Sequence, residues 1–143
     1  MTRQDLFDRI CTHLMTQASK SGEHKSDRLS KEYFECQYKG PDGCACAIGC
    51  LLSDAHYKAE FEGKLVEEKD VMLALRRSIG PIGPTSVPML LKLQSVHDYK
   101  DVEDWPQELR AVGKEYKLKT KVVDDLEQEF RSKIVGHYYE WRK

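Results

Sequence analysis

The stretch Gly80 to Pro88, GPIGPTSVP, holds three prolines and two glycines in the middle of a chain otherwise rich in helical periodicity. A proline inside a helix removes a backbone donor and clashes with the preceding turn, so no single long helix can run through this region. The C-terminal half must therefore break into separate helices. Before the break, Val66, Val71, Met72, Leu75 and Ile79 predict a helix over 66–78, with Arg76 and Arg77 at the negative end of its dipole. After it, Ser86 is placed to cap a helix over 87–98, which carries Met89, Leu90, Leu93, Val96 and His97 on or beside one face. Asp104 is placed to cap a third, with Trp105 and Pro106 in its first turn and Trp105, Leu109, Val112 and Tyr116 as its stripe. A last helix over about 121–141 bears Val123, Leu126, Phe130, Ile134, Tyr138 and Trp141.

The N-terminal half opens on another amphipathic helix, residues 2–18, with Thr2 and Asp5 in a capping-box arrangement and Leu6, Phe7, Ile10, Leu14 and Ala18 as its buried stripe. Ser19 to Ser30, SKSGEHKSDRLS, is polar and broken, and reads as a mobile loop suited to carry a functional surface. Then comes YFECQYKGPDGCACAIGCLL, Tyr33 to Leu52, with four of the five cysteines between Cys36 and Cys50. Its KGPDG is strong turn chemistry and predicts a hairpin whose second strand lies near Cys44 to Ala47. CAIGCLL favours a short buried helix, with Gly49 allowing close approach of a neighbour. DAHYKAEFEG predicts irregular structure or a single helical turn ending at Gly63. The expectation is one mostly helical α+β domain of about five helices with a small β-hairpin. Residues 1–119 form its globular part, and 120–143 a C-terminal amphipathic helix packed on it or used for association.

At 143 residues, 40% hydrophobic and 33% charged, the chain can bury a core and is not disordered in composition. No apolar run reaches the length of a membrane span. The opening residues lack the basic stretch and apolar core of a secretory signal, so a cytoplasmic protein is expected. An odd number of cysteines fits thiols or ligands better than a disulfide framework. The net charge of −1 does not favour nucleic acid. The basic run Lys114, Lys117, Lys119, Lys121 and the acidic run Asp101, Glu103, Asp104 read as solvated faces.

Three chemistries compete with a purely structural use of the notable side chains. Zinc would draw on Cys36, Cys46, Cys50 and His97, but the spacing is not that of paired Cys-x2-Cys knuckles, and buried cysteine is a common small apolar filler. A nucleophilic thiol would be Cys46, with His97 and Asp98 as the supporting pair, if the thiol were exposed and its pKa lowered. Asp54, Tyr57, Glu62, His97 and Asp98 are polar residues among apolar ones. They either anchor the irregular segment by hydrogen bonds or line a ligand or partner pocket. No P-loop, metalloprotease, kinase or esterase motif is present.

The residues CQYKGPDGCACAIGCLLSDAHYKAEFEG, LLKLQSVHD and WPQELRAVGKEYKL together resemble a family of small uncharacterised proteins of bacteriophages, prophages and proteobacteria, marked by Cys-Ala-(Ile/Val)-Gly-Cys-Leu. The resemblance covers about residues 3–118 and falls on Cys36, Tyr38, Cys46 to Leu52, Asp54, Tyr57, Glu62-Gly63, Leu93-Gln94, His97-Asp98 and Trp105. Ser53 stands where the pattern has proline, and Cys44 where it has a polar residue. The resemblance carries no established reaction. Together with the absence of catalytic motifs and the small, charge-rich chain, it leads to the expectation of a small phage-type protein in the host cytoplasm, non-enzymatic, that binds a bacterial host protein and inhibits a host process or defence system. The alternative is a thiol- or zinc-dependent hydrolase, or a protein that binds a small ligand. Tyr139 and Trp141 are the aromatic candidates for a partner contact or a homodimer through the last helix.

Overall fold

In a computed structural model, the backbone is described for residues 1–141 and the side chains for 1–135. Helix α1, Arg3–Gln17, begins at a complete capping box. The Thr2 hydroxyl accepts from the Asp5 N–H and the Asp5 carboxylate accepts from the Thr2 N–H, both at 3.0 Å. It ends where Ala18 turns left-handed and its N–H closes on Leu14. Leu6, Phe7, Ile10, Cys11, Leu14 and Met15 are buried along its inner face.

The antiparallel hairpin lies earlier than KGPDG suggested. Strands β1, Gly22–Ser26, and β2, Glu32–Cys36, pair with Gly22 opposite Cys36 and Ser26 opposite Glu32. The polar stretch read as a mobile loop is thus half of the ribbon. The ribbon is largely exposed on both faces, so β1 has no apolar alternation to betray it. KGPDG forms a tight turn at Pro41–Gly43 closed by one bridge, Lys39 to Ala45. CAIGCLL is likewise a single 3-10 turn, Gly49–Leu51, not a helix. Gly49 sits so close to the backbone of Tyr38 that a β-carbon on it would lie 1.8 Å from the Tyr38 carbonyl oxygen. The segment after Ser53 is irregular except for one turn at Ala59–Phe61.

Four helices complete the domain: α2, Lys69–Ile79; α3, Val87–Tyr99; α4, Trp105–Glu115; and α5, Lys121–Trp141. Neither Ser86 nor Asp104 caps through its side chain. Both have helical backbone angles, because a turn precedes each helix and runs into it: Ser86 N–H bonds Gly83 and Trp105 N–H bonds Val102. A residue already in the helical conformation cannot aim its side chain at the first free N–H groups as a cap does.

The core gathers where α1, α3, α4 and α5 meet. Trp105, Phe7 and Phe130 are its largest fully buried side chains among the described residues. Trp105 stacks on Phe130 with ring centroids 6.4 Å apart, and lies 5.8 Å from the His97 ring. Helix α5 packs on α1 and α4 through Val123 and Phe130. Arg110 of α4 reinforces the contact, binding Asp124 at 2.8 Å and Glu127 at 3.1 Å. The side chains of Tyr138, Tyr139 and Trp141 lie outside the described residues. Among the described residues, no helix is long and apolar enough to cross a membrane.

Candidate functional site

The chemistry-bearing residues fall into two separate networks on either side of the 36–52 segment. The first is built on α3. Helical spacing puts Leu91, Gln94 and Asp98 on one face, while His97 turns inward and is 0% exposed. The Ser21 N–H donates to His97 Nε2 at 2.9 Å. A backbone N–H can only donate, so Nε2 holds the lone pair and Nδ1 the proton, which goes to Asp98 Oδ1 at 2.8 Å. The Gln94 amide donates to the same oxygen at 2.7 Å and accepts from the Ile48 N–H at 3.0 Å. Cys36, at the end of β2, completes the group: its sulfur, a His97 nitrogen and an Asp98 oxygen all lie within 4.8 Å of one another.

Of the four side chains considered for zinc, only Cys36 and His97 are brought together; Asp98 joins them, and no described ligand group includes Cys46 or Cys50. The trio as it stands does not suit a metal. Ligation through Nδ1 would drive the proton to Nε2, against the Ser21 N–H, and Nε2 itself is occupied by that donor. The same commitment leaves His97 no lone pair with which to deprotonate a thiol.

The thiols are not poised for attack either. Burial, aided by the Asp98 carboxylate, pushes Cys36 up to about 12. Burial pushes Cys46 and Cys50 up to about 12 and raises Cys11 as well. Cys46 is deeply buried, and its sulfur accepts from the Gly49 N–H at 3.2 Å. Cys50 donates to the Ala47 carbonyl at 3.1 Å. A reactive cysteine needs the opposite environment, electropositive and partly open.

The second network centres on Glu62. Its carboxylate accepts from the Tyr38 N–H at 2.7 Å, the Lys39 N–H at 3.1 Å and the Tyr57 hydroxyl at 2.6 Å. Burial and the nearby Glu62 charge push the Tyr57 phenol up to about 12. The Tyr38 hydroxyl donates to the Lys64 carbonyl at 2.6 Å, and the Lys39 ammonium to the Leu52 carbonyl at 2.7 Å. These bonds hold the cysteine-rich segment against the loop that precedes α2. Asp54 belongs to neither network; its side chain is fully exposed, with the Lys39 ammonium 3.6 Å away.

Between α3 and the 63–67 loop, next to the first network, lies an open cleft of about 380 Å³. Cys36, Gln94 and Asp98 line it, as do Leu65 and Tyr99, which are 68% and 81% exposed. The sequence reading did not single out Leu65, Tyr99 or Ser21. Ser21 acts through its backbone, which no residue type signals, and exposed Leu65 and Tyr99 belong to no apolar period.

The site therefore belongs to a small single-domain α+β protein whose described residues form five α-helices and one two-stranded antiparallel hairpin. Comparison with family models, with curated proteins and with solved structures finds no match for this chain.

Proposed function

We propose that the chain is a non-enzymatic protein that works by docking onto a bacterial host macromolecule, with the β1–β2 ribbon as the element that engages it. The observation that carries this reading is the ribbon's tip. Asp27 Oδ1 accepts from the N–H groups of Leu29 at 2.8 Å and Lys31 at 2.9 Å. Asp27 N–H also bonds the Lys31 carbonyl and Ser30 N–H the Asp27 carbonyl, so the turn is ordered by its own bonds. What it presents is Leu29, 88% exposed, beside Arg28. Holding a leucine in water on an ordered turn does nothing for the monomer, whereas a preorganised apolar tip lowers the entropy cost of binding. The closed hydrogen bonding around His97 and the raised thiols weigh against the hydrolase alternative.

The resemblance to phage and prophage proteins directs the search to host protein targets, and an inhibitory role in the host cytoplasm follows from that reading. Capture from bacterial lysate with the native chain and with Leu29→Asp is the test. Leu29 is 88% exposed, so the variant should keep its fold and Tm. A specific host component held by the native chain and lost by the variant is the expected result. Equal retention by both, or no specific component at all, overturns the proposal.

A further inference from the structure

The cleft beside Asp98 is lined by carboxylates, an aromatic ring and apolar side chains. We propose that it is a subsite for a guanidinium group, the side chain of an arginine flanked by apolar residues in a partner polypeptide. His97 and Gln94 both direct their protons to Asp98 Oδ1, the Cys36 thiol is a weak donor beside the same carboxylate, and no described N–H donor reaches Oδ2. The Asp98 side chain is 24% exposed and lines the open cleft, so its carboxylate is partly withdrawn from water yet within reach of a ligand there. An ionised acceptor in such a place forms its strongest bond with a charged donor.

Glu67 adds a second carboxylate at the cleft and has no ion-pair partner among the described residues. The nearby cations do not fill the acceptor. The Lys64 ammonium is bound to Asp70, and the Lys20 ammonium is directed to the Asp98 main-chain carbonyl at 3.4 Å. Tyr99 offers an exposed ring, and Leu65 and Leu91 line the same cleft. This arrangement fits arginine better than lysine. A planar, weakly hydrated guanidinium stacks on a phenol ring and bonds carboxylates through a fork, while its three-carbon stem lies against leucines.

The identity of the arginine-bearing polypeptide rests on the docking function proposed above, but the chemistry of the cleft can be tested without it. The probe is acetyl-Leu-Arg-Leu-amide, titrated into isotope-labelled protein and followed by NMR, beside counterparts with citrulline or lysine at the centre. Saturable shifts are expected at Leu65, Gln94, Asp98 and Tyr99. Citrulline in the peptide, or Glu67→Gln or Tyr99→Ala in the protein, should weaken binding about threefold to tenfold. Both substituted side chains are exposed, so an unchanged Tm certifies the fold. Shifts that do not saturate, that centre elsewhere, that are equal for the citrulline or lysine peptide, or that ignore both substitutions overturn the subsite. A host component lost on Leu29→Asp with no arginine-peptide binding sinks the subsite alone. Peptide binding with no such component sinks the docking function of the ribbon alone.

Discussion

Cys36, Cys46, Cys50 and Tyr57 share one electrostatic fate. Each is pushed up to about 12, chiefly by burial, and each is neutral in the folded chain at ordinary pH. A cysteine's ordinary value is near 9, so above that pH the unfolded chain releases thiol protons that the folded chain keeps. The stabilising contribution is complete below about pH 9 and is lost as pH rises towards 12. Thermal unfolding should therefore show a Tm at least about 5 °C lower at about pH 10.5 than at about pH 8. Cys36→Ser, which keeps a donor beside Asp98 but does not titrate there, should remove part of that dependence. At this scale the sequence was informative about which residues matter and much less about what they do. His97 on an apolar helix face implied a bonded imidazole, and Glu62 among apolar residues implied an anchor. That a main-chain N–H from Ser21 dictates the tautomer of His97 could not be read, since every residue but proline carries such a group.

The elements were legible to the degree that each buries a periodic face. The helices built on Leu6 to Met15, Met89 to His97 and Trp105 to Val112 all lie within a few residues of their sequence-based limits. The ribbon was misplaced because β1 buries nothing, and turn chemistry at KGPDG was the stronger local cue. That cue was real, but β2 already pairs with β1, so the turn closes only a bridge. In the cysteine-rich segment the deciding contact is between backbones, Gly49 against Tyr38. Gly49→Ala should cost more than about 3 kcal/mol in urea unfolding, since backbone must move on one side or the other. Gly83→Ala is the matched control. Its β-carbon would meet only the Thr85 hydroxyl, at 4.0 Å, and the change should stay within about 0.5 kcal/mol.

For the molecule as a whole, α5 closes the core, since Phe130 covers Trp105. Phe130→Ala should cost about 3–5 kcal/mol, because a fully buried ring is removed from a close-packed interior. Arg110→Ala, at the partly exposed ion pairs of the same helix contact, should cost about 1 kcal/mol or less. Urea unfolding monitored at the tryptophans reads both. If the two costs were alike, packing would not be what holds α5 in place. Composition, helical periodicity and the proline-rich break between Gly80 and Pro88 were enough to determine a mostly helical domain, because burial of apolar stripes is written residue by residue in the chain, whereas the position of the exposed ribbon was not. Tertiary structure alone decided that Cys36 meets Asp98, that Glu62 holds Tyr38 and Lys39, and that a cleft opens under Tyr99. Those contacts join groups far apart in the chain, and local spacing carries no record of them.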